Sequence, residues 1–199
     1  MKKSFAYPVI FMVVITGFFV TVLASFHYFT VDKIAFNQES DLRHKVLYVF
    51  ELLPEGEDPK EIEEIFNERV VEKQFGEKSG YALMDGDEEV NYAILIDGTG
   101  LWGSITGYLG LNKDLTKITG IEFVTQSETP GLGGRISEAA YKEQYRDIDI
   151  KVTNGKYLIA TPEQGGNVDA IAGATQTSTA VVNFINKDLT DFFSSVEVD

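Results

Sequence analysis

Thr175, Thr177 and Ser178 follow a short run, Asp169-Ala170-Ile171-Ala172, and the small pair Gly173-Ala174. Beyond them Val181, Phe184, Ile185, Leu189 and Phe192 share one face at helical spacing, which predicts a loop feeding an amphipathic helix. Backbone N–H groups and the positive dipole end meet at such a junction, so the position suits a phosphate. Gly173 and Ala174 let a ligand come close to the main chain. The plainer reading is that Thr175 or Thr177 caps the helix while the small residues give packing clearance.

Composition removes most other chemistries. The 31 Asp and Glu residues outnumber the 17 Lys and Arg and give a net charge of -14. Such a surface repels nucleic-acid phosphates, so no nucleic-acid partner is expected. The absence of cysteine excludes disulfides, c-type haem attachment, iron–sulfur ligation, a lipoprotein anchor and a thioether-linked flavin. His27 and His44 are too few for a histidine-built metal site, and the carboxylates have no His or Cys companion for a triad. No catalytic residue and no metal ligand is therefore expected; a redox cofactor, if held, must be held by hydroxyls and carboxylates.

The elements that must position this loop can be read in chain order. Lys2 and Lys3 precede a stretch from Ser4 to Val31 without Asp, Glu, Lys or Arg, longer than the ~20 apolar residues needed to cross a bilayer. Tyr7, Phe26, Tyr28 and Phe29 stand where interfacial anchors belong. A signal peptide cleaved near Val22-Leu23-Ala24 is the alternative, but the apolar stretch exceeds a usual signal core. The two lysines predict a cytoplasmic N-terminus, with the rest of the chain on the extracytoplasmic, periplasmic side of the inner or plasma membrane. The expected division is an anchor over 1–31, a helical stalk over 32–78 and a soluble domain over 79–199. In the stalk, Leu42, Val46, Val49, Phe50 and Leu53 form one helical face, and Ile62, Ile65, Phe66 and Val70 another after the break at Pro54 to Pro59.

Strand patterns follow at Tyr81 to Met84, Val90 to Ile96, Ser104 to Leu111 and Lys117 to Val124, with a turn at Asp85-Gly86-Asp87. Gly98-x-Gly100-x-x-Gly103 satisfies a dinucleotide pattern, yet the segment after it alternates like a strand where a nucleotide fold needs a helix. Glycines in a hairpin, giving room to a ligand or neighbouring strand, are the better account. A tight loop, Glu128-Thr129-Pro130-Gly131-Leu132-Gly133-Gly134, comes next. A helix from about Ser137 to Tyr145 and strands near Ile148 to Val152 and Tyr157 to Ala160 complete an α+β domain with a mixed or antiparallel sheet and flanking helices.

Three motifs in order carry a resemblance. Gly98-Thr99-Gly100-Leu101-Trp102, Glu128-Thr129-Pro130-Gly131-Leu132-Gly133 and Asp169-Ala170-Ile171-Ala172-Gly173-Ala174-Thr175 resemble the FMN-binding subunits of the Rnf and Nqr respiratory complexes, with the RnfG type favoured over the NqrC type. Ala172 stands where that pattern has Ser or Thr. The resemblance implies FMN on Thr175 through a phosphoester, placed there by a separate flavin transferase. It implies cofactor-binding roles for Gly173, Ala174, Thr177, Asp169, Glu128, Thr129, Leu132, Gly133 and Trp102. Within these, Leu132 would lie on a ring face, and Glu128 and Thr129 near the ring's polar edge. It further implies electron relay among membrane and redox subunits of an ion-translocating complex, without turnover by this chain alone. The rival readings are a membrane-tethered module that grips a phosphorylated ligand without redox chemistry, and an assembly subunit that has lost its FMN site.

Overall fold

The computed structural model describes residues 6–76 and 78–196. Lys2 and Lys3, on which the topology expectation rests, lie outside them. The chain divides into two compact units between Asp41 and Leu42.

Helix α1 runs unbroken from Ala6 to Val49. Its N-terminal part contains a window of mean hydropathy 2.6 with no buried residue, long and apolar enough to cross a membrane. A side-chain hydroxyl there has no water to satisfy it. Thr21, Ser25 and Thr30 instead donate to the carbonyls of Gly17, Thr21 and Phe26, four residues back, at 2.8, 2.8 and 2.7 Å.

In the second unit, helix α2 (Pro59–Arg69) starts on Asp58, whose side chain accepts the Lys60 N–H. Five strands follow: β1 (Val70–Phe75), β2 (Lys78–Asp85), β3 (Glu88–Thr99), β4 (Ser104–Asn112) and β5 (Ile118–Thr125). They form an antiparallel meander in sequence order. The expected helical stalk over 32–78 is thus only partly helical, because Val70 leaves the helical face and opens an edge strand paired with Leu83. The last helix, α4 (Thr175–Val196), packs on β3.

Both faces of the sheet are covered, so β4 is buried along almost its whole length. On one face, Ile105, Leu109 and Leu111 join Val181, Phe184, Ile185, Leu189 and Phe192 of α4, the residues expected from the helical spacing. On the other, Tyr108, Tyr81 and Val70 meet Val46, Val49, Phe50 and Ile62 from the end of α1 and from α2.

Two expected elements differ. Ser137 to Tyr145 is not one helix: a 3-10 turn (Gly133–Ser137), the short α3 (Ala139–Lys142) and a second 3-10 turn (Glu143–Tyr145) replace it. Tyr157 to Ala160 is not a strand. Its backbone is satisfied by side-chain amides, with Tyr157 and Leu158 N–H donating to Asn186 Oδ1 at 2.8 and 2.9 Å and Ile159 N–H to Asn167 Oδ1 at 2.8 Å. The segment near Ile148 to Val152 likewise makes only an isolated bridge, Asp149 to Lys117.

Candidate functional site

Thr175 is the first residue of α4 and is exposed. The loop before it is shaped by Ser178, which is fully buried. Ser178 Oγ accepts the Ile171 N–H at 3.0 Å and donates to the Ala174 carbonyl at 3.2 Å, while the Ala174 carbonyl also takes the Ser178 N–H as the first bond of the helix. Gly173 sits at φ +81°, a backbone conformation that favours glycine and turns the chain into the helix. Neither Thr175 nor Thr177 acts as the cap: Thr175 is already helical, and Thr177 turns inward.

Thr175 lines a cavity of about 240 Å³ together with Lys156, Thr161, Glu163, Thr179 and Asn183. Lys156 is the cation on that wall, with its Nζ 3.0 and 3.1 Å from the two Glu163 oxygens. Asp169 reaches this cavity only at second hand. Its carboxylate accepts from Thr161 Oγ1 at 3.1 Å, and its own N–H is held by Gln144 Oε1 at 2.6 Å. Ala172 lies on a different hollow, with Tyr141, Gln144 and Asp169, so the missing hydroxyl falls outside the lining of the Thr175 cavity.

The second motif meets the helix at its first turn. Glu128 is 5% exposed and Thr177 1%. Glu128 Oε2 accepts from Thr177 Oγ1 at 2.6 Å, and Glu128 Oε1 accepts the backbone N–H of Trp102 at 2.9 Å. The carboxylate thus ties the glycine-rich turn after β3, the loop after β5 and the start of α4 into one cluster. Thr129 is exposed, and its carbonyl closes its loop by accepting the N–H groups of Leu132 and Gly134 at 3.1 and 3.0 Å. Gly133 is buried against Glu128 and Thr177. Leu132 lies against Gly173: a Cβ built on that glycine would stand 3.5 Å from Leu132 Cδ2.

Three large apolar side chains stay in solvent on these loops, namely Leu101 (51% exposed), Trp102 (71%) and Leu132 (46%). Exposed apolar side chains grouped around a polar site mark a place where something else packs. The larger cavity of about 650 Å³, lined by Phe75, Lys78, Asp188 and Phe192, involves none of the expected site residues. Chemistry and position, rather than size, therefore select the Thr175 cavity. Among the described residues no group of His, Asp and Glu is arranged to hold a metal ion.

Sequence reading missed Lys156, Thr161, Glu163, Thr179 and Asn183. Thr179 was within reach as the residue one helical turn after Thr175. Lys156 and Glu163 carry no signal of their own, since a charged pair on a loop reads as solvated surface.

Comparison with known proteins agrees with this geometry. Residues 100–190 match the FMN-binding domain. The NqrC protein of the Na⁺-translocating NADH-quinone reductase of Pseudomonas aeruginosa is 31% identical over 114 residues, 52% of this chain and 44% of that one. The RnfG-type protein of the ion-translocating oxidoreductase complex of Methanosarcina acetivorans is 34% identical over 108 residues, 54% of each chain. The match spans about half the length of these relatives. Crystal structures of NqrC from Shewanella oneidensis (TM-score 0.63, 19% identity, 75% of this chain and 91% of that one) and of its namesake from Parabacteroides distasonis (TM-score 0.61, 23% identity, 81% and 90%) share the fold. The chain therefore carries, over residues 100–190, an FMN-binding domain of the kind found in NqrC and RnfG proteins.

Proposed function

We propose that this chain holds FMN through a phosphoester on Thr175 Oγ1 and relays electrons as a membrane-anchored subunit of an Rnf-type ion-translocating oxidoreductase. The observation that carries this reading is the exposed Thr175 hydroxyl at a helix start, on a cavity wall with Lys156, inside the matched FMN-binding domain. The residues fit the group. The helix N-terminus and Lys156 offset phosphate charge, Thr161 and Asn183 supply hydrogen-bonding side chains, and Leu101, Trp102 and Leu132 offer apolar surface to a flat ring. FMN, when bound, supplies one- and two-electron transfer.

Size explains the covalent link. Sites that bury a whole drug-sized ligand run to roughly 300–1,000 Å³. The cavity at Thr175, about 240 Å³, suits the phosphate end and leaves the ring on the loops outside. A ligand held so shallowly dissociates readily, and an ester bond removes that route. In the attachment step the Thr175 oxygen bonds to the FMN phosphorus of FAD, the pyrophosphate link breaks, AMP leaves, and the hydroxyl proton passes to the flavin transferase. No base in this chain is assigned to that proton.

The anchor is α1, with the FMN domain on the extracytoplasmic side and the coupling ion handled by partner subunits. An Nqr-type assignment is the second reading, favoured by the two NqrC structures that share the fold. The relative lengths favour Rnf, because the match covers 54% of the Rnf protein and 44% of the Nqr protein. Mass spectrometry of the Thr175 peptide, after expression beside a flavin transferase, tests the proposal. An FMN-esterified peptide in the wild type, lost in Thr175→Val and kept in Thr175→Ser, supports it. An unmodified wild-type peptide overturns it.

A further inference from the structure

We infer that Glu128 is a positioning residue, a latch that fixes the Trp102 turn and the Leu132 loop to the first turn of α4 and so sets the apolar surface beside Thr175. This deepens the reading given above and rests on it for the identity of the ligand, though not for the latch itself.

The arrangement is specific to a carboxylate. Each Glu128 oxygen has its own donor, Trp102 N–H at 2.9 Å and Thr177 Oγ1 at 2.6 Å, on segments far apart in the chain. Two glycines make room for it. A Cβ on Gly100 would stand 2.5 Å from Glu128 Oε1, and one on Gly133 would stand 2.6 Å from both Glu128 Oε2 and Thr177 Oγ1. The Glu128 backbone is itself held, its N–H donating to Gln126 Oε1 at 2.7 Å. Glu128 is therefore turned inward, with both oxygens engaged by the chain. Its effect on a ring at the polar edge passes through Trp102 and Leu132, because burying a charge with satisfied partners fixes those partners in place.

Thr177 is two residues from Thr175 on the same helical turn. The latch thus makes the positions of the Trp102 turn and of the attachment hydroxyl depend on one another.

The experiment uses the full-length chain in detergent, whose single tryptophan is Trp102. In a Thr175→Val background, which keeps the site free of covalent flavin, Trp102 fluorescence and its quenching by acrylamide report the turn directly. The variants are Glu128→Ala, Glu128→Gln and the near-isosteric Thr177→Val. Expected are a shifted Trp102 emission and at least two-fold changed quenching in Glu128→Ala, a smaller change of the same sign in Thr177→Val, and near wild-type values in Glu128→Gln, whose amide oxygen still accepts the Trp102 N–H. With Thr175 restored and the transferase present, Glu128→Ala is expected to lose several-fold in flavin content, with Glu128→Gln close to wild type.

Unchanged quenching in both Glu128→Ala and Thr177→Val overturns the latch. So does a Glu128→Gln chain that behaves as Glu128→Ala. Should Glu128→Ala not fold, Thr177→Val and Glu128→Gln decide the matter alone. A wild type that takes no flavin defeats the proposed function, while the Trp102 measurement still tests the latch.

Discussion

Lys78 Nζ lies 2.6 Å from Asp188 Oδ1, and Asp188 Oδ2 accepts the Asp97 backbone N–H at 2.9 Å. Lys78 also reaches Asp97 Oδ1 at 2.8 Å, so β2, β3 and α4 are fastened at one point. Burial opposes the charge on Lys78, but the hydrogen bonds to Asp188 and Asp97 outweigh it and hold its pKa above the usual value. Removing one partner of a buried pair leaves the other uncompensated. Asp188→Ala is expected to lower the unfolding free energy by about 3 kcal/mol, and Lys78→Met with Asp188→Leu to recover most of it. Urea denaturation of the single and double variants checks this, and a double variant no better than the single would count against it.

Gly98 is the point of closest approach between β3 and α4. A Cβ there would fall inside the Phe184 side chain. Gly98→Ala should cost roughly 1–3 kcal/mol through overpacking, and Phe184→Leu in the same chain should return part of that. Thermal melts of the two variants read it out. The result also separates a packing role for the first glycine of the Gly-x-Gly-x-x-Gly pattern from any nucleotide role.

Ser178 is buried, with Ile171 N–H and the Ala174 carbonyl as its partners. Ser178→Ala leaves the Ile171 N–H unpaired and is expected to destabilise by about 1–3 kcal/mol. Faster amide exchange confined to residues near 170–175 would show the loop loosening ahead of the rest. Uniform exchange across the domain would mean that the loop is held elsewhere.

Asn186 replaces a missing strand neighbour for the segment beside Thr175. Its amide accepts from Tyr157 and Leu158 N–H and donates to the Leu158 and Val182 carbonyls at 2.7 and 2.9 Å. Asn186→Leu should unpair these groups at a cost of roughly 2–4 kcal/mol, a few lost bonds of about 1 kcal/mol each plus buried polar groups left bare. Flavin content is expected to fall with it, because Lys156 and Ala160 on the adjoining wall lose their support. Flavin fluorescence of the denatured polypeptide measures the loading.

Alkaline pH is the weak side of this fold. Burial raises the pKa of Tyr48 and Tyr141 to about 12, with Glu143 adding to the effect on Tyr48, and raises Tyr108 and Tyr145 as well. A phenol whose folded pKa exceeds its unfolded value near 10 stabilises the fold fully below about pH 10. That contribution disappears as pH climbs through the folded value. Lys78 adds to the loss in the same direction. Unfolding followed by circular dichroism should coincide with tyrosinate absorbance between about pH 10 and 12. Free titration of these tyrosines in a folded chain would contradict the burial argument.

How much of the molecule is legible in its sequence depends on whether a signal is local. Strands β2 to β5 show themselves because Asp85-Gly86-Asp87 and the alternation around it need only neighbours in sequence. The buried face of α4 is equally plain, since five apolar residues at helical spacing leave few other arrangements. Strand β1 stays hidden because Val70 continues the apolar spacing of α2, while Glu72, Lys73 and Gln74 look like more of the same charged helix. Tyr157 to Ala160 misleads in the opposite way: apolar and short, it reads as a strand, and only Asn186 and Asn167 reveal why it is not one. Thr175 stands out by its motif. The Glu128 to Thr177 bond spans 49 positions, and no periodicity reports such a pair.

The meander has one further consequence. Each strand pairs with its sequence neighbours, so the sheet assembles from nearby contacts as the chain lengthens, a quick process by topology. α4 arrives last, and it fills the core on one face while presenting Thr175. The acceptor hydroxyl thus gains its surroundings only when synthesis of the domain is finished, and a truncated or stalled polypeptide has no properly formed place to be loaded.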